Sequence, residues 1–190
     1  MNRIDLIQRL SELDRRGVYV LAKRDIEKLF PNEAEKSLEK SLKRMVNDRL
    51  LVRATRGIYV NPAARARSGR IIEDIARVLR TGHQSYVSLE SMLSEYGDIS
   101  QVPVTHMTVM TTGKSGTYET PYGTIEFTHT KRGRADIVSR SIRAPGRPLR
   151  IATQKAALED LRRVGRNLNM LDVNTDDESS ENDPPSKRQS

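Results

Sequence analysis

Lys36, Lys40 and Lys43 are spaced by four and by three residues, so on a helix their ammonium groups fall along one stripe. Ala34, Leu38, Leu42, Met45 and Val46 recur on the opposite side, giving such a helix an apolar back and a cationic front. The chemistry this pattern can do is electrostatic recognition of a polyanion: lysine ammonium groups on phosphates, and short donors on the base edges of a duplex. The N-terminal part of a groove-binding helix usually meets the base edges. That places Lys36, Ser37 and Lys40 in the base-facing group and Lys43 and Arg44 nearer phosphate. Lys23 and Arg24 open the preceding helical segment, where backbone N–H groups also favour phosphate. Arg53 and Arg56, in a polar turn further on, are placed for backbone or minor groove. The alternative is a solvated face on which Glu39 pairs with Lys43 and Glu33 with Lys36, both at favourable helical spacing.

Other chemistries lack their residues. Cysteine is absent, which removes disulfides and thiolate-held zinc and agrees with a reducing cytosol. His83, His106 and His129 have no metal-ligand spacing, and Glu126 and His129 lie on opposite faces of a strand. Gly113-Lys114-Ser115-Gly116 contains a Gly-Lys-Ser triplet but lacks the upstream glycine and the strand-to-helix setting of a phosphate-binding loop. With no nucleophile elbow and no Ser/His/Asp ordering, the expectation is a non-enzyme with no catalytic residue, no metal and no cofactor. Lys131, Arg132, Arg134, Arg140, Arg143, Arg147 and Arg150 form a looser basic series, open to three readings: DNA, an acidic partner, or solvent.

The elements that must carry the lysine stripe follow from periodicity. Ile4, Ile7, Leu10 and Leu13 predict a helix over 2–16 ended by Gly17. Val18 to Leu21 predicts a strand, 23–30 a second helix broken at Pro31-Asn32, and 33–48 a third helix. Two short strands, 50–52 and 58–60, flank a polar turn from Arg53 to Gly57. Helix, strand, helix, turn, helix and hairpin in that order is the winged helix-turn-helix arrangement. Further on, 68–80 reads as a linking helix, and a short helix begins near Ser88. Residues 102–130 read as several strands, 135–141 as another strand, and 151–163 as a helix with Thr153 as N-cap.

Charge follows the same division. Residues 1–80 carry 19 Lys+Arg against 11 Asp+Glu, whereas residues 172–190 carry 2 against 6. A basic N-terminal region attracts polyanions. The tail is acidic and nearly devoid of apolar residues, which predicts disorder. With no 18-residue apolar run and no secretory leader, neither a membrane nor an export step is expected, and the location is cytoplasmic. The predicted organisation is α+β: a winged helix-turn-helix over 1–62, a linker helix within 63–84, a mixed α/β domain over 85–171 and a tail over 172–190. The partner is double-stranded operator DNA, bound as monomer or homodimer; with no heptad seam visible, a dimer would use the second half.

Several stretches also match a family. Arg56-Gly57-Ile58-Tyr59-Val60-Asn61-Pro62, then Tyr86-Val87-Ser88-Leu89-Glu90-Ser91-Met92-Leu93, then Thr111-Thr112-Gly113 leading into Gly123-Thr124-Ile125-Glu126-Phe127, and finally Ala152-Thr153-Gln154-Lys155-Ala156 occur in the order of the AbiEi-type antitoxins of type IV toxin–antitoxin systems. The chain resembles that family over residues 2–171. The family's Ala-Thr-Pro-Glu-Lys-Ala string is shortened in this chain, which lacks the Pro and one position. The resemblance implies an N-terminal winged helix-turn-helix that represses its own operon at inverted repeats, with the wing glycine at Gly57. It also implies a C-terminal domain that counters a cognate nucleotidyltransferase-like toxin, by direct binding, by modification or indirectly.

Overall fold

The structure, a computed structural model, describes residues 1–99, 105–165 and 167. Asn2 begins its first helix: the side-chain oxygen accepts the Asp5 N–H at 2.9 Å, satisfying a donor that no helical turn reaches. The helix, α1, runs Arg3–Asp14. The face expected to be buried is rotated. Leu6 and Leu10 are buried, while Ile4 and Ile7 are 67% and 42% exposed. Two apolar stripes compete on this helix, and packing selects the one that meets the helices beside it.

A short strand β1 (Val20–Ala22) leads directly into α2 (Lys23–Leu29), whose first turn is held by the Asp25 carboxylate accepting the Ala22 N–H. After Pro31-Asn32 comes α3 (Glu35–Asn47), then β2 (Val52–Thr55) and β3 (Ile58–Val60). The second strand thus starts at Val52, two residues later than expected. Arg53 lies within it, and only Arg56-Gly57 turn the chain. Gly57 has φ +75, which a residue with a Cβ adopts at a cost. The three strands form an antiparallel sheet in the order β1-β3-β2, with Leu21 opposite Tyr59 and Tyr59 opposite Arg53.

Both faces of this small sheet are covered. Leu21 and Tyr59 pack with Leu6, Leu10, Ile26, Leu38, Leu42 and Met45 in one core. Val20, Val60 and Ala54 belong to a second core that runs on through Ile75 and Ala76 of α4 (Ile71–Leu79) to Tyr86, Val109, Phe127 and Leu161.

The second sheet has six strands in the order β6-β7-β5-β4-β9-β8. They are β4 (Ser85–Val87), β5 (His106–Thr111), β6 (Gly116–Thr120), β7 (Gly123–His129), β8 (Ser141–Ile142) and β9 (Arg150–Ala152), with α5 (Glu90–Tyr96), α6 (Arg134–Ser139) and α7 (Gln154–Val164) beside them. The sheet is mixed: β4 runs parallel to β9 and β5 parallel to β7, while the other pairs are antiparallel. At Gly123 a Cβ would lie 2.3 Å from the Thr105 carbonyl oxygen, so only glycine allows that approach. Among the described residues the architecture is mixed α+β with seven helices, none long and apolar enough to cross a membrane.

Three expectations are corrected here. Residues 135–141, rich in β-favouring Ile and Val, are mostly the helix α6. Ile137 is its one buried residue, and Asp136 in its first turn suits the helix dipole. Residues 151–152 belong to β9, so the helix there begins only after Thr153, whose hydroxyl accepts the Ala156 N–H as its cap. Tyr86 and Val87 form β4, and the chain enters α5 through Leu89 at φ 58, ψ −141, a conformation a fully buried leucine keeps only because its surroundings hold it. The acidic tail lies outside the described residues.

Part of the loose basic series is half-buried and paired, whereas Lys131, Arg134 and Arg143 are exposed. Asp160 of α7 is fully buried and accepts Tyr86 Oη at 2.9 Å, Ser88 Oγ at 2.8 Å and Arg140 at 3.3 Å, and pairs with Arg132 as well. Arg147 pairs with buried Glu73 at 2.6 Å and with Glu95 at 2.5 Å. Asp160→Ala leaves two guanidinium groups without their buried counter-charge and is expected to cost about 3–5 kcal/mol in urea denaturation. Burial and the neighbouring Asp160 push the Tyr86 phenol up to about 12. Its folded-state value therefore exceeds the ordinary 10.0, so its contribution is intact below pH 10 and is lost as pH rises toward 12. Tyr86→Phe is expected to lower stability at neutral pH and to flatten this alkaline decline, read from unfolding midpoints at a series of pH values.

Candidate nucleic-acid interface

Rotation of α3 about its own axis is set by Leu38, Ser41, Leu42 and Met45, all buried. With 100° per residue, the direction opposite that set is occupied by Lys36, Lys40, Lys43 and Asn47. All four are exposed. At 1.5 Å per residue the 13-residue helix is about 20 Å long, which is enough to lie across a major groove. Asn47 was absent from the sequence-based set. It stands four residues beyond Lys43, so the same spacing that links the lysines reaches it, and its amide can pair with an adenine edge.

The anticipated pairing of these lysines with glutamates does not form. Glu33 is taken by the amino group of Met1 and by Ser37 Oγ at 2.6 Å, and the ammonium beside it holds its carboxyl below the usual range. Glu39 turns to Lys23 at 2.8 Å, which lowers its titration likewise. Among the described residues Lys36, Lys40 and Lys43 have no ion-pair partner. The acids that sequence spacing assigns to them are drawn away by groups distant in the chain.

The remaining predicted residues divide accordingly. Lys23 is clamped by Glu39, by Glu35 at 3.0 Å and by Glu27 at 3.6 Å; hydrogen bonds to Glu39 and Glu35 raise its titration above the ordinary lysine value. It joins α2 to α3 and is not a free phosphate ligand. Ser37 donates its proton to Glu33. Arg44 reaches back to the Met1 carbonyl at 3.3 Å, on the flank of α3 away from the hairpin. Arg24, Arg53 and Arg56 are exposed and unpaired among the described residues.

Arg53 and Arg56 meet Lys43 across a cleft. It measures 600 Å³ and lies between the C-terminal half of α3 and the β2–β3 hairpin, lined by Lys23, Lys43, Asn47, Arg53, Arg56 and Tyr59 among others. Arg53 points into it because it shares a sheet face with Tyr59, its register partner. The hairpin is anchored by the Lys23 N–H, which donates to the Gly57 carbonyl at 2.8 Å. One wall is thus a helix and the other the β2–β3 hairpin, with cations on both and Glu39 as the acid that Lys23 neutralises. Pairs of basic walls about a cleft of this kind suit a phosphodiester strand.

The histidines stay apart. His106 faces Glu126 at 3.4 Å across β5 and β7, His129 Nδ1 lies 2.8 Å from the Gly113 carbonyl, and His83 is exposed. Gly113, Lys114 and Ser115 lie in the connection between β5 and β6, and Gly116 begins β6.

Replacing Lys23 with Met leaves Glu27, Glu35 and Glu39 facing each other without a cation. The Glu39 carboxyl is then expected to titrate at or above its ordinary value, a change that carboxyl-detected NMR measures directly. Comparison with protein-family models, with curated proteins and with solved structures found no match.

Proposed function

We propose that residues 3–60 act as a winged helix-turn-helix, with α3 as recognition helix and the β2–β3 hairpin as wing, and that the protein is a transcriptional repressor of its own operon. The observation that carries this reading is the row Lys36, Lys40, Lys43 and Asn47, opposite the buried face of α3 and unpaired among the described residues. A solvated lysine face of structural purpose would engage the glutamates at i−4 and i−3, and these point elsewhere. The hairpin adds two arginines at the height of Lys43, which extends the cationic surface beyond one helix. The resemblance to AbiEi-type antitoxins supports the operon assignment. On that basis the remainder of the chain counters a nucleotidyltransferase-like toxin encoded beside it.

Among the predicted DNA-contacting residues, Lys36, Lys40, Lys43, Arg24, Arg53 and Arg56 are exposed cations with no ion-pair partner among the described residues. Neutralising about six phosphates gives log affinity a slope of about −5 against log salt. In gel shifts on the DNA upstream of its own gene, Lys36→Ala with Lys40→Ala is expected to weaken the shift at least about tenfold and to make the slope shallower by about 2. An unchanged shift in that double variant removes α3 as the recognition element. In a growth assay with the neighbouring toxin gene, the same variant is expected to retain rescue, because the proposed antitoxin work belongs to the second sheet.

A further inference from the structure

A second basic site lies away from α3. Between the end of α4, the start of β4 and the segment before β9 is a cleft of 280 Å³ whose lining includes Arg77, Arg80, His83, Arg143, Arg147 and Arg150 and contains no carboxylate. Some of this charge is balanced from outside the cleft: Arg77 pairs with Asp74 at 2.9 Å, and Arg147 with Glu73 and Glu95. Arg150 is held by neutral oxygens, Ser141 Oγ at 2.8 Å and the Val138 carbonyl at 3.2 Å. Arg143 is exposed and unpaired among the described residues.

Arg80 is the telling member. It is only 8% exposed, yet among the described residues it meets no acid. Its guanidinium lies 3.9 Å from the centroid of Phe127 and 5.0 Å from that of Tyr118. It donates to the Lys114 carbonyl at 2.8 Å, to the Leu79 carbonyl and to Tyr118 Oη. Nε of Arg80 and Nε of Arg147 are buried with no hydrogen-bond partner. A buried cation without a counter-charge is costly, and stacking on aromatic rings fixes its plane without neutralising it. The site is also held from behind. A Cβ at Gly113 would come within 3.0 Å of Arg80 Cδ and 3.1 Å of His83 Cγ, so that glycine leaves room for both side chains.

We infer that this cleft binds a small phosphate dianion, inorganic phosphate or a monoester no larger than a nucleoside monophosphate. Planar guanidinium groups that are already oriented suit a phosphate dianion, which several forks can grip at once. The volume admits a compact ligand and leaves no room for a duplex. The uncompensated charge of Arg80, Arg143 and Arg150 is what the ligand neutralises. This site is independent of the α3 interface and stands whether or not α3 binds DNA.

Isothermal titration of the full chain with inorganic phosphate and with adenosine monophosphate, against adenosine as the uncharged control, tests it. Both phosphates are expected to bind and adenosine to give no heat. Arg143→Ala and His83→Ala alter exposed side chains and spare the core; each is expected to weaken phosphate binding, the first at least about tenfold, while leaving the shift on operator DNA unchanged. Lys36→Ala with Lys40→Ala is expected to keep phosphate binding intact. Absence of binding at millimolar phosphate, or equal affinity in Arg143→Ala, overturns the inference. Binding of a 5′-phosphorylated oligonucleotide without binding of either free phosphate assigns the site to a nucleic-acid end and overturns the small-ligand source.

Discussion

Everything at the basic face depends on how α3 is rolled against the three-stranded sheet. Leu38, Leu42 and Met45 pack with Leu21 and Tyr59, and a close-packed core tolerates little rotation of the helix that supplies it. Three buried side chains therefore determine where four exposed ones point. The Lys23 clamp acts with them. One ammonium group receives Glu27 from its own helix and Glu35 and Glu39 from α3, tying the two helices together and drawing negative charge off the front of α3. These are surface pairs of modest individual strength. Their effect on the local field is larger than their effect on stability, because two carboxylates that would screen the lysine row are turned aside.

The small sheet serves two cores at once. Tyr59 faces the helices and Val60, the next residue, faces α4 and the second sheet, so the alternation of a β-strand joins the basic surface to the rest of the molecule. A displacement of α4 would be felt at the hairpin within a few residues. Arg80 ends α4 and lines the second basic cleft. The two cationic regions are thus connected by one helix and one strand: one is the exposed face of α3, the other lines a cleft beside the second sheet.

Arginine has two distinct uses around the second sheet. Arg132 and Arg140 surround the buried Asp160, where charge inside the protein is met by charge. Among the described residues Arg80 is met by aromatic rings, carbonyl oxygens and the Tyr118 hydroxyl, and by no acid. The first arrangement is complete in itself and belongs to folding. The second leaves a buried guanidinium without a carboxylate partner among the described residues, beside a cleft.

Local pattern was legible where a long element carried its own period. The third helix and its lysine stripe, the Thr153 cap and the short strand Ile58–Val60 follow from side-chain spacing and capping chemistry alone, since those are properties of neighbours in the chain. Packing decided the rest. Strands β4 and β9 pair with neighbours on both sides and are only three residues long, so neither shows the alternation that separates strand from helix. Residues 134–139 became a helix against their β preference because local propensity is weak beside tertiary context. The partners of charged groups were the least legible: Glu39 prefers Lys23, sixteen residues earlier, to Lys43 four residues later, and Asp160 gathers donors from three distant segments. Spacing along the chain determined which residues share a face; only the folded structure decided which of them remain without partners, because an ion pair depends on distance in space.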